Sequence, residues 1–234
     1  MKRLFDVVSD LEVNRDRRAR YGLLLLAIVA AFAIQGVASP QRWSQVAVTV
    51  LLATTLALAF WAANARPSVM RTVIAVGAVI VAFSIVEAAT GHVAGAGTRI
   101  SNMLLVLFAP PAIVIGVVRT LRARGRVTLE AVFGVLCLYI LIGMFFAFLY
   151  GAIDRLGSPF FAQDVAATVA KCLYFSFTTM TTVGYGDLTA AGNLGHTLAV
   201  SEALLGQIYL VTVVSVIVGN LSRPQRAHRA EPAP

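Results

Sequence analysis

Charge is scarce in this sequence. Only 13% of its 234 residues are charged and 59% are hydrophobic, whereas a soluble domain carries about 25% charged and about 45–50% apolar residues. An ordinary water-soluble globule is therefore excluded. Cysteine is nearly absent as well. Cys137 and Cys172 stand alone, without the spacing of a metal site or a disulfide framework, and packing is the expected role of both. The three histidines (His92, His196 and His228) are scattered. No nucleotide loop or catalytic constellation occurs, so neither an enzyme nor an organic cofactor is expected.

What fills the sequence instead is long apolar runs. About 20 apolar residues cross a hydrocarbon core roughly 30 Å thick. Tyr21–Ser39, Gln45–Ala63, Thr72–Ala89, Ser101–Val118 and Ala131–Ile153 meet that length, and Thr197–Leu221 does so with few polar interruptions, among them Ser201, Glu202 and Gln207. The first run exceeds a secretory h-region and is read as a retained helix. The expected fold class is an all-α membrane protein of six transmembrane helices.

The net charge of +8 does not point to nucleic acid, because the basic residues alternate with the spans. Of the nineteen, fifteen fall on one side: Lys2, Arg3, Arg15, Arg17, Arg18, Arg20, Arg66, Arg71, Arg119, Arg122, Arg124, Arg126, Arg223, Arg226 and Arg229. Arg42, Arg99, Arg155 and Lys171 fall on the other. The positive-inside rule then puts both termini in the cytoplasm of a multi-pass plasma-membrane protein. The composition suits a bacterial inner membrane, with anionic lipids as partners at the cytoplasmic face. Residues 1–20 suit an amphipathic interfacial helix or a disordered leader. Pro110-Pro111 is expected to kink or interrupt the fourth span.

Between the fifth and sixth spans the pattern changes. Residues 165–180, with Asp164 as N-cap, read as a re-entrant half-helix, being too short to cross and return. Thr181-Thr182-Val183-Gly184-Tyr185-Gly186-Asp187 follows. The run from Tyr174 to Leu188 resembles the pore of potassium channels, whose T-V-G-Y-G loops replace the hydration shell of the ion with backbone carbonyls. Presenting those carbonyls to one axis demands backbone angles that L-residues resist, which accounts for Gly184 and Gly186.

The resemblance covers 130–221 and implies an outer helix (130–153), a pore helix (165–180), a filter (181–187) and an inner helix (196–221). K⁺, the transported ion, would be coordinated by Thr182, Val183, Gly184 and Tyr185, with Gly186 at the outer mouth. Thr181, Asp187, Tyr174 and Thr178 would support the filter. Tyr174 and Phe175 replace two tryptophans often found in the family. Tyr174 can donate to Asp187, but Phe175 cannot donate to Tyr185. One filter per chain requires four chains to close the ring, hence a homotetramer.

Gly206, Glu202 and Gly219 on the inner helix are the candidate gating residues. Gly206 suits either a hinge or a close helix contact. An intramembrane acid such as Glu202 is either a titrating switch or a hydrogen-bonded packing residue. Residues 21–121 form a four-helix domain, 122–129 a linker, and 222–234 a short tail. A voltage sensor needs arginines within its fourth span, and none lies between Ser101 and Val118. Conventional voltage gating is therefore not expected. A voltage-gated channel with a reduced sensor, a secondary transporter and a nonconducting regulatory subunit are the alternatives. The transporter lacks support because Pro110-Pro111 has no counterpart in the second half.

Overall fold

The computed structural model describes residues 2–37, 42–90, 96–124, 129–157, 159–215 and 219. Among these residues seven α-helices follow one another: α1 (Lys2–Val37), α2 (Arg42–Ala62), α3 (Pro67–Ala89), α4 (Ala96–Arg124), α5 (Leu129–Leu156), α6 (Val169–Met180) and α7 (Gly192–Tyr209). A five-residue π-helical stretch, Leu210–Val214, continues α7. Among the described residues there is no β-strand, only an isolated bridge between Phe161 and Ala190.

Among the described residues, six segments are long and apolar enough to cross a bilayer: Ala19–Val37, Trp43–Ala62, Pro67–Ala89, Ile100–Arg119, Leu129–Leu156 and Gly192–Val213. They coincide with the six runs expected from the sequence, and the chain is an all-helical, multi-pass membrane protein. Its outward side chains fit a lipid solvent: Val79 is 68% exposed, Leu26 66% and Val86 58%.

Several boundaries differ from expectation. Residues 2–20 do not form a separate interfacial helix but run into the first span as one helix of 36 residues. Their spacing contains no proline or glycine to break it. Helix α4 passes through Pro110 and Pro111 without interruption, although the two rings deprive the carbonyls four residues earlier, at Val106 and Leu107, of their donors. Helix packing on both sides sustains it: Val106 and Ile113 are fully buried against neighbouring helices. At Arg66-Pro67 the expected break occurs, with Arg66 extended (φ −59°, ψ 146°) and proline opening α3. The Gly-rich stretch at 91–95, the linker at 125–128 and the tail from 220 onward lie outside the described residues.

The helices are arranged so that α1 packs against α2, α5 and α6, while α4 packs against α2 and α5. Tyr21, Leu24 and Ile28 of α1, Leu52 and Leu56 of α2, and Leu105 and Ile113 of α4 share the core with Leu141 and Met144 of α5. A buried polar contact links two of these helices. Thr49 donates to the Asn102 side-chain oxygen at 3.0 Å, tying α2 to α4. Helix α3 meets mainly α2 and stays peripheral.

Candidate functional site

Helix α6 is short because of how it begins and ends. Backbone N–H groups of Val165 and Thr168 bond to carbonyls two residues back (both 2.8 Å), so the chain is still turning there. The cap is Thr168, whose hydroxyl accepts from Lys171 N–H at 3.3 Å. The expected cap, Asp164, lies four residues earlier in the loop that precedes the helix, which starts at Val169 rather than 165. At its end, Met180 is followed by a chain reversal. Thr182 N–H reaches the Thr179 carbonyl at 3.0 Å, and the N–H groups of Val183 and Gly184 share the Thr178 carbonyl at 2.8 and 3.1 Å.

Beyond that reversal the backbone alternates. Thr182, Gly184 and Gly186 have φ of 60°, 50° and 80°, with ordinary residues between them. Alternating left- and right-handed residues turn successive carbonyls toward the same side, which a uniform strand cannot do. For the glycines the demand is purely conformational, since a Cβ at Gly184 or Gly186 would meet nothing within 4 Å. Thr182 is a β-branched residue in the left-handed region, a strain of about 1–2 kcal/mol of the kind that collects at functional sites. Nothing in the residue pattern announces it.

Side chains hold this segment from three directions. In front, Tyr174 donates to Asp187 Oδ1 at 3.1 Å, as its chemistry suggested, and its ring stacks on Tyr185 at 6.1 Å between centroids. Phe175 faces the other way, into an aromatic cluster with Tyr150, Phe160 and Phe161 at centroid distances of 5.5–5.8 Å. The Thr178 hydroxyl is turned to the Phe175 carbonyl (3.1 Å), so this residue supports the segment through its backbone. Thr181 caps the helix, its hydroxyl donating to Phe177 O at 2.6 Å. Beyond the segment, Gln163 clasps Thr189 twice, donating to its hydroxyl and accepting from its N–H, each at 3.0 Å. From below, the Gln207 amide of α7 donates to the Thr182 hydroxyl at 3.3 Å.

The short helix is wedged between α5 and α7 by two glycines. A Cβ at Gly143 would stand 2.7 Å from the Phe177 ring, and one at Gly206 would stand 2.5 Å from Met180 Cγ and 2.6 Å from the Met180 carbonyl oxygen. Gly206 thus permits a close helix contact. The departure from α-geometry comes four residues later, at Leu210. Glu202 is fully buried where three helices meet. It accepts a hydrogen bond from the Tyr150 phenol at 2.6 Å and another from the Ser176 hydroxyl, which also lies 2.7 Å from the Gly143 carbonyl. Gly219 is helical with open space around it. Thus Tyr174, Thr178, Thr181–Asp187, Glu202 and Gly206 gather around α6, whereas Gly219 does not. Sequence reasoning missed Gln207, Gly143, Tyr150 and Ser176. Gln207 did leave a trace, as a polar residue inside an apolar span.

Residues 134–223 match the ion channel family. This part of the chain is similar to an ion channel module. Two known proteins match as well. Inward rectifier potassium channel Kirbac3.1 of Paramagnetospirillum magnetotacticum is 43% identical over 51 residues, which cover 22% of this chain and 17% of that one. Protein LctB of Bacillus caldotenax is 29% identical over 101 residues, 40% of this chain and 75% of that protein. The chain therefore matches less than a fifth of the first relative's length. No solved structure matches. Together the matches support a potassium channel family. Such a family implies K⁺ as the permeant ion and points away from an enzyme. The ion channel match begins inside α5 and runs through α6, the 181–187 segment and α7.

Proposed function

We propose that this chain is one subunit of a homotetrameric, potassium-selective channel whose filter is Thr182–Gly186. The observation that carries the reading is the alternation of positive φ at 182, 184 and 186 directly after a half-helix. Four such segments around one axis would stack rings of carbonyl oxygens, from Thr182, Val183, Gly184 and Tyr185, with the Thr182 hydroxyl below and Gly186 at the mouth. Potassium would exchange its water shell for these oxygens and pass down its gradient. Irregular backbone is tolerable at membrane depth here because it lines an ion-filled path.

In this reading α6 is re-entrant, α5 is the outer helix and α7 the inner helix, and the pore domain is 130–221. Exposure supports assembly: Tyr185 is 71% and Val183 51% exposed in the single chain, so the segment lacks a wall that neighbouring copies would supply. Residues 21–121 hold the pore in the bilayer without conventional voltage sensing, and Glu202, Gly206 and Gly219 are the positions where gating is sought. The membrane is the plasma membrane, of a bacterial inner type, with both termini cytoplasmic and anionic lipids along that face.

Planar bilayers with potassium on one side and sodium on the other test the proposal. A reversal potential near the potassium limit is expected, together with an assembly of four 24.9 kDa chains. Equal sodium and potassium currents, or a stable monomer that conducts, would refute it. Gly184→Ala should abolish selective current, because alanine resists the required φ of 50°.

A further inference from the structure

A second site lies away from the pore, at the end of the four-helix domain. The turn between α2 and α3 is only four residues long, Ala63 to Arg66. Asn64 takes a left-handed conformation (φ 51°) that lets the chain reverse so tightly. Beside this turn is a cavity of about 210 Å³. Its walls are apolar, with Phe60 from α2, Val69 from α3 and Ala112 and Ile115 from α4, and its rim carries two cations, Arg66 and Arg119. Among the described residues, no carboxylate lines it.

The position of the cavity identifies the medium around it. The spans Trp43–Ala62 and Ile100–Arg119 end here and Pro67–Ala89 begins here, so the rim lies where hydrocarbon gives way to headgroups. Val69 is 40% and Ile115 49% exposed, and both guanidinium-bearing residues are exposed. The neighbouring Arg20 is already engaged: its guanidinium lies 4.4 Å over the Trp61 ring and donates to the Asn64 side-chain oxygen at 2.9 Å. An apolar slot that opens to lipid under two cations matches one kind of molecule at both ends. A phosphodiester accepts hydrogen bonds from two guanidinium groups, and an acyl chain covers Val69 and Ile115.

We infer that this cavity is a specific site for an anionic phospholipid, with Arg66 and Arg119 on the phosphate and the acyl chain in the apolar slot. A zwitterionic lipid with the same phosphate would bring its ammonium group against these cations, so it is disfavoured. The inference depends on the chain spanning a membrane and is independent of ion selectivity.

The test counts lipids retained by the full-length protein in native mass spectrometry, with phosphatidylglycerol and phosphatidylcholine as probes. Phosphatidylglycerol should bind about tenfold more tightly, and added salt should erode the difference. Arg66→Gln/Arg119→Gln should abolish the preference, whereas Arg155→Gln, in the last turn of α5, should keep it. Equal retention of the two lipids by the unaltered protein would overturn the site. So would an undiminished preference in the double variant. Displacement of the lipid by soluble glycerol phosphate at equal concentration would overturn the role of the acyl slot. Should the double variant fail to fold, the lipid comparison and its salt dependence in the unaltered protein decide alone.

Discussion

Replacing Gly206 by alanine should damage the pore out of proportion to one methyl group. The added Cβ would stand 2.6 Å from the Met180 carbonyl oxygen and 2.5 Å from Met180 Cγ, where ordinary contact begins at 3.4 Å. Relief therefore requires α6 and α7 to part by about 0.8 Å at this point. The side-chain atom can swing aside, but the carbonyl belongs to the residue immediately before Thr181, and moving it moves the segment that follows. Overpacking of this kind costs about 1–3 kcal/mol, and a chain of this size loses about 2–4 °C of melting temperature per kcal/mol. The assay is thermal unfolding of the purified protein alongside its potassium-to-sodium permeability ratio. Both should fall in Gly206→Ala. Met180→Ala in the same chain should recover only part of the loss, because it removes the side-chain clash and leaves the carbonyl one. Gly219→Ala, where the added Cβ meets nothing within 4 Å, should be neutral, or stabilising by up to about 1 kcal/mol. Equal, small effects at both glycines would refute the wedge argument.

Other substitutions probe the remaining supports. Tyr174→Phe removes the hydrogen bond to Asp187 Oδ1 and should speed slow inactivation of the current; unchanged kinetics would mean the bond does not restrain the 181–187 segment. Glu202→Leu strands the Tyr150 hydroxyl, at about 1–3 kcal/mol, while Ser176 keeps the Gly143 carbonyl as acceptor, and the melting temperature should fall by several degrees. Glu202→Gln, which can still accept from one hydroxyl and donate to the other, should retain most of that stability, and a pH dependence of current unaffected by it would rule out Glu202 as a titrating switch. D-alanine introduced at Gly184 by semisynthesis should preserve potassium current where L-alanine destroys it, since positive φ is natural to the D-residue; loss of current with both would indicate a steric rather than a conformational requirement.

The sequence made the membrane spans legible because hydropathy is a property of composition over about 20 residues and needs no knowledge of neighbours. The Tyr174–Asp187 bond was legible through the family resemblance, because Tyr174 stands where the family often carries a tryptophan and keeps a donor there. The start of α6 was misread for a local reason. Asp164 has the right chemistry for a cap, but the turns at Val165 and Thr168 delay the helix and hand the role to Thr168. Long-range meetings left no local trace. Gly143 looks like any glycine in an apolar run until Phe177 is found against it. Ser176 and Tyr150 are 26 and 52 residues from Glu202, and no periodicity links them. The strain at Thr182 is local, imposed by the Thr178 and Thr179 carbonyls that capture the following amides, but a β-branched residue carries no propensity that would announce a positive φ.

The first helix has a consequence for how the two halves of the chain communicate. Phe32 of α1 rests on Phe177 of α6 with ring centroids 4.7 Å apart, so the N-terminal helix touches the very helix that leads into the 181–187 segment. Its influence does not have to travel along the covalent connection at 125–128. A tilt of α1 in a thicker or thinner bilayer would press on, or withdraw from, the back of α6 directly. Cutting the chain ahead of α5 would accordingly leave more than a pore without an anchor: Phe177 would lose its aromatic neighbour, and lipid would take the place of a protein wall.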